Sequence, residues 1–266
     1  MDKTKKNKAH PLYTSILLLL MAVAAVTAAT MAWLSIADNT KVRSMNLDVT
    51  SGISLRFDLD PHDTFEDYVK TLTFSNIADR ISREQGFSMS DTPLKPVTTS
   101  DFTTFSFENG TVVPTEKGAY LEFTLHFMST KDMIVHLTSL GSTDGASGTN
   151  VSSNNGALPS AMRISFTADG ATYVYEPDRG DSSSNANGAT YFGLPVANQM
   201  VYSDNNRLFS LTAGENKPVL VHIWLEGTDP SCTDELKGAD YSIALRFEGT
   251  DENNQLFEEE ENNPRE

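Results

Sequence analysis

Residues 119–127 read AYLEFTLHF, and the alternation inside them decides the fold class. Leu121, Phe123, Leu125 and Phe127 fall on one side of an extended chain, and Glu122, Thr124 and His126 on the other. Successive side chains of a strand point to opposite faces, so this is the pattern of a half-buried strand. Similar runs recur as MNLDVTSGISLRFDLD (45–60), FTTFSFENGTVV (102–113), DMIVHLTSL (132–140), AMRISFTADGATYVYE (161–176), NRLFSLTAG (206–214) and DYSIALRFEGT (240–250). Clusters of Gly, Asn, Asp, Ser and Pro separate them. In VLVHIWLEG (219–227) both faces are apolar, which suits a strand covered on each side.

The spacing predicts an all-β, jelly-roll-like β-sandwich with one or two short helices. Phe123, Leu125, Phe127, Val221, Ile223 and Trp224 are the candidate core. The helices are expected in TFEDYVKTLTFSNIADRISREQ (64–85), packed over a sheet edge. There Phe65, Tyr68, Val69, Leu72, Ile77 and Ile81 fall near helical spacing, and Thr64 with Asp67 forms a candidate cap.

Four regions follow in order. Residues 1–11 are a basic, cytoplasmic n-region carrying Lys3, Lys5, Lys6 and Lys8. Residues 12–36 run without a charge and are a signal peptide or a membrane-anchor helix. They are long enough to cross a hydrocarbon core of about 30 Å. Ala28, Ala29 and Thr30 are small residues suited to a signal-peptidase cut, while Trp33 suits an interfacial anchor, so both fates stand open. Residues 37–250 are the extracellular sandwich, and residues 251–266 an acidic, Asn-rich disordered tail. Lipoprotein, sortase and type IV pilin signals are missing from the sequence.

The net charge of −16 argues against nucleic acid, which is bound by clustered Lys and Arg. The single cysteine, Cys232, rules out an internal disulfide and a CxxC motif. Of the five histidines, His126, His136 and His222 sit on expected strands, where zinc ligands could converge; with no HExxH, outward-facing strand histidines are the expectation. The acidic turns FDLDPHD (57–63) and EGTDPSCTDE (226–235) have oxygen donors for calcium but not EF-hand spacing, and Asp-Pro is an ordinary turn former. Arg179-Gly180-Asp181 is read as a chance RGD in a polar loop, and the Asn109 and Asn150 sequons matter only in a eukaryotic secretory host. No catalytic residue, metal or cofactor is expected.

The stretches AATMAWLSIADNTKV (28–42), MNLDVTSGISL (45–55), YLEFTLHFMSTKDMIVHL (120–137) and VHIWLEGTDP (221–230) before Cys232 resemble exported Gram-positive, mainly clostridial proteins. More distantly they resemble the camelysin and TasA-type biofilm-matrix fibre subunits. The resemblance implies a jelly roll exported through a long leader and assembled when an N-terminal strand completes the next subunit's sheet. Here the donor would run from about Met31 to Asp48, with Met45, Leu47 and Val49 as its apolar row. The metallopeptidase label of camelysin relatives finds no metal-binding motif in this chain.

The sequence therefore reads as a non-enzymatic structural protein on the extracellular face of a Gram-positive cell, secreted or held by one N-terminal helix. Its expected partners are itself or related subunits, with membrane contact only through residues 12–36 if they are uncleaved. The rival reading is a glycan- or protein-binding module presenting Tyr173, Tyr175, Tyr191, Phe192 and Tyr202. Metallopeptidase activity ranks last.

Overall fold

The computed structural model describes residues 15–24, 41–49, 54–139, 148–177, 179, 183–185, 187–194, 204–236 and 238–257. These residues form two β-sheets with few, short helices, so the protein is all-β. The first sheet contains β1 (Lys41–Val49), β3 (Thr71–Leu72), β7 (Met133–Leu137), β8 (Asn150–Ser153), β13 (Arg207–Leu211) and β15 (Asp240–Thr250). The second contains β2 (Leu55–Asp58), β4 (Pro96–Thr99), β5 (Phe105–Ser106), β6 (Leu121–Ser129), β9 (Met162–Ala168), β10 (Ala171–Tyr175), β11 (Ser183–Ser184), β12 (Thr190–Phe192) and β14 (Lys217–Glu226). The helices are α1 (residues 15–24), α2 (Phe74–Glu84) and α3 (Leu158–Ala161).

β14 and β15 are the spines. β14 pairs antiparallel with β6 on one edge and β9 on the other. β15 pairs antiparallel with β7 and β8, and parallel with β1. The antiparallel pair β6–β14 in one sheet continues as the antiparallel pair β7–β13 in the other. At that corner Gly214 N donates to Ser129 O at 2.8 Å and Ala213 N to Asp132 Oδ1 at 2.8 Å. Gly214 has φ +75°, a left-handed turn conformation that a side chain would disfavour.

The alternation read in residues 119–127 becomes the core. Phe123, Leu125 and Phe127 are at most 1% exposed, as are Val221, Ile223 and Trp224. One continuous apolar cluster draws on both sheets. Trp224 belongs instead to a second cluster on the opposite face of its sheet, under the segment carrying β4 and β5, with Val97, Phe105 and Tyr120. The second sheet is thus covered on both faces, which is why the 219–227 strand is apolar on both.

The 64–85 segment divides differently from its helical spacing. Thr64 Oγ1 does donate to Asp67 Oδ2 at 2.9 Å, but over one 3-10 turn, Phe65–Asp67. Val69 then exchanges both backbone hydrogen bonds with Phe57, each 3.0 Å, and pulls the chain out straight. The helix begins only at Phe74, where Asn76 Oδ1 accepts from Thr73 N at 2.9 Å. Ile77 and Ile81, four apart on one face, enter the main core at 0% exposure.

At the N-terminal side, α1 is exposed along its length, Leu19 at 65%. Among the described residues no helix is long and apolar enough to cross a membrane. Ala28, Ala29, Thr30 and Trp33 lie outside the described residues. After β15 the chain stays folded past residue 250. Asp251 N donates to Gln255 O at 2.9 Å, Leu256 bridges back to Thr250, and Phe257 packs on the core. The two apolar residues Leu256 and Phe257 carry the ordered chain beyond the boundary expected at 251; residues 258–266 lie outside the described residues.

Candidate assembly edge

β1 lies parallel along β15, from Lys41 beside Asp240 to Val49 beside Phe247. A bulge between Val42 and Ser44 turns Arg43 outward, where it meets Asp240 at 2.8 Å. The bulge also resets the pleat, so Val42, Met45 and Leu47 all face inward, at 2%, 0% and 0% exposure. Val49 is half-buried and packs on the same core. The residues of the expected donor row therefore sit in the chain's own sheet. Parallel neighbours cannot be joined by a tight hairpin, so β1 is held in this seat by its backbone ladder and apolar row rather than by a turn.

On its other edge β1 meets, among the described residues, the strand β3 through the antiparallel pairs Leu47–Leu72 and Asp48–Thr71. Val49 N donates to Lys70 O at 3.0 Å. The strip 69–72 thus reaches from β2 in one sheet to β1 in the other and straps them together. Sequence reasoning missed this strap because a two-residue strand has no readable period.

The three strand histidines weighed as zinc ligands do not converge, and two of the three are buried although they point away from the main core. His126 lies on the outer side of β6, with Nδ1 3.1 Å from Asn216 Oδ1. His136 is fully buried on the first sheet, its ring nitrogens against Asn206 Oδ1 at 3.3 Å and Thr250 Oγ1 at 3.0 Å. His222 is fully buried on the second sheet, beneath the rings of Phe105 and Tyr120 at 5.2 and 6.0 Å. Alternation places all three on outer faces; packing over those faces buries two of them. Among the described residues no group of three His, Cys, Asp or Glu is placed to hold a metal ion.

The acidic turns use their oxygens internally. Asp58 Oδ1 accepts from Leu59 N at 2.6 Å, and Asp60 pairs with Arg80 at 2.5 Å. Glu226 accepts from Trp224 Nε1 at 2.9 Å and from Thr228 N at 3.1 Å. Asp229 accepts from Ser231 N at 2.8 Å and pairs with Arg163 at 2.5 Å. Burial, with Asp229 and Glu226 nearby, pushes the Cys232 thiol up to about 12, so little reactive thiolate exists near neutral pH. Asn109 occupies an exposed turn and Asn150 opens β8.

The aromatic set of the rival reading forms no exposed row among the described residues. Tyr175 and Phe192 are buried at 3% and 0%. Tyr173 packs on the main core and Tyr191 on the second cluster, its hydroxyl accepting from Asn185 Nδ2 at 3.1 Å. Tyr202 lies outside the described residues, as do Gly180 and Asp181 of the RGD; Arg179 pairs with Glu176.

Strand register also lines up Glu122, His222 and Ser165 across β6, β14 and β9. His222 Nε2 is 2.9 Å from Glu122 Oε2; an ionised carboxylate only accepts, so Nε2 carries the proton. Serine hydrolases use the same three residue types, but there the serine bonds the imidazole. Here Ser165 Oγ and His222 Nδ1 are both buried without a hydrogen-bond partner among the described residues. The row is a packed polar seam.

The His222 hydrogen bond holds the Glu122 carboxyl below its usual range. A depressed carboxyl stabilises the fold above its unfolded pKa, about 4.3, and that contribution is lost as pH falls through the lower folded value. Glu122→Gln should therefore flatten the fall in Tm as pH is lowered from about 5 through this range. Equal pH slopes in both proteins would remove this role for the pair.

Compared with known proteins, the chain matches no family model, no curated protein and no solved structure.

Proposed function

We infer that this chain is a non-enzymatic, exported cell-surface or extracellular-matrix structural protein that self-assembles by β-strand addition, with β1 as the traded strand. The observation that carries the reading is the seat of β1. Its ladder to β15 and its buried Met45 and Leu47 need no covalent turn between the partners, so a β1 from a second copy satisfies the same hydrogen bonds and fills the same core. The β15 edge that a departing β1 would leave open invites such addition.

The basic residues 3–8 followed by the apolar run 12–36 support export, to the extracellular face of a Gram-positive cell. The ribbon that passes from β6–β14 into β7–β13 supports the jelly-roll form that the resemblance to TasA-type subunits implies. The test is intact mass and sedimentation of the protein recovered from its native surface or medium. A mass beginning near residues 29–32, in species larger than one chain, is expected. A protein that stays monomeric across concentration and pH would sink self-assembly, and a full-length mass with the membranes would mean a tethered ectodomain.

A further inference from the structure

We propose that β3 and α2 form a clasp over β1, which must open before β1 leaves its own sheet or a second copy's strand enters. This rests on the strand-trading reading for its purpose, though not for its mechanics. Among the described residues β15 borders β1 on one side of the sheet and β3 on the other, so the edge of β1 away from β15 is covered by β3. There Leu72, 3% exposed, stands opposite Leu47, and α2 sets Ile77 and Ile81 into the same apolar cluster.

The clasp has its own anchor on β2 and borders a groove. Its strip is anchored on β2 through Phe57–Val69, while the strip's backbone hold on β1 among the described residues is two residue pairs and the Val49–Lys70 bond, with α2 adding apolar contact from Ile77 and Ile81. Against β15, by contrast, β1 is paired along its whole length. A groove of about 650 Å³ lies between the strip and α2, lined by Thr71, Asn76, Asp79, Arg80 and Arg83 among others. The strip thus borders open space through Val69 and Thr71. The Arg80–Asp60 pair, at 2.5 Å, ties α2 to the chain following β2 and holds the groove's two walls together.

The geometry offers its own lock. The Val49–Lys70 bond flanks the Asp48–Thr71 pair, which makes that pair a non-hydrogen-bonded one with side chains close together. Asp48→Cys with Thr71→Cys therefore places two sulfurs within disulfide reach, while Cys232 stays buried and protonated. Amide exchange of the 41–49 peptide should slow at least tenfold in the oxidised double variant and recover on reduction. Leu72→Ala should speed the same amides at least tenfold and leave β6 and β14 unchanged, which tests the clasp even where the disulfide variant fails to fold. Unchanged β1 exchange in either folded variant overturns the clasp. Where exchange slows on oxidation and assembly slows with it, the clasp gates strand trading. Where exchange slows but neither the reduced variant nor the parent protein assembles, the clasp stands and the self-assembly reading falls.

Discussion

Phe247→Ala should cost about 3–5 kcal/mol, as loss of a fully buried aromatic ring does. Phe247 is 0% exposed on β15, and its ring meets Phe57, Phe127 and Phe166 of the facing sheet at 5.9, 5.1 and 5.8 Å. Those three contacts join the two sheets at one point, so truncation removes buried area and leaves a void between layers that cannot close without moving both. The measurement is the urea midpoint at constant m-value. Val112→Ala, at a position 56% exposed, is the control and should stay within about 0.5 kcal/mol. A Phe247→Ala loss under about 1 kcal/mol would mean that the sheets are not held together there.

Arg163→Ala should cost a similar amount, about 3–5 kcal/mol, for an electrostatic reason. Arg163 is 8% exposed on β9. Its Nε lies 2.8 Å from Glu176 Oε1, and its Nη2 lies 2.5 Å from Asp229 Oδ2. Its Nη1 donates to the carbonyls of Ser160 and Met162, at 2.6 and 2.8 Å. Deleting it takes the ion-pair partner from the poorly hydrated Asp229 carboxylate, leaves Glu176 with Arg179 alone, removes the donor to two carbonyls, and unties the 226–235 turn from the β9–β10 hairpin. Adding Asp229→Asn to Arg163→Ala should recover part of the loss, because one uncompensated charge is then gone. Strict additivity of the two substitutions would show that the groups do not interact.

Legibility followed the length scale of each interaction. The 121–127 strand could be read because alternation is local and its apolar side needs only some core to face. The two-sided apolar character of 219–225 could be read for the same reason, and Trp224 has a cover of its own. The first half of the 64–85 segment misled because Phe65, Tyr68, Val69 and Leu72 fit helical spacing, while a pairing to Phe57 dictates extended backbone there. That is a tertiary demand overriding a local pattern. His136 and His222 could not be placed, because alternation chooses a face and says nothing about what covers it. The row through Met45 and Leu47 was visible, but its neighbour is nearly 200 positions away in the chain, and a parallel pair carries no turn signal to announce it. Arg163 was hidden in the same way: its partners Glu176 and Asp229 are gathered by loops.

The parallel run of β1 beside β15 gives the molecule a direction. The chain comes into the first sheet at the Lys41–Asp240 end. It finishes β15 at Thr250, about 30 Å away at roughly 3.3 Å per residue. The two poles are chemically unlike, so one-way donation of β1, as proposed above, would stack copies head to tail, whereas a reciprocal exchange would close a twofold dimer. Such a stack would have one tip with an unfilled β15 and one with a spare β1. Elongation and capping at the two tips would then proceed at separate rates, and a soluble 41–49 peptide would block only one of them.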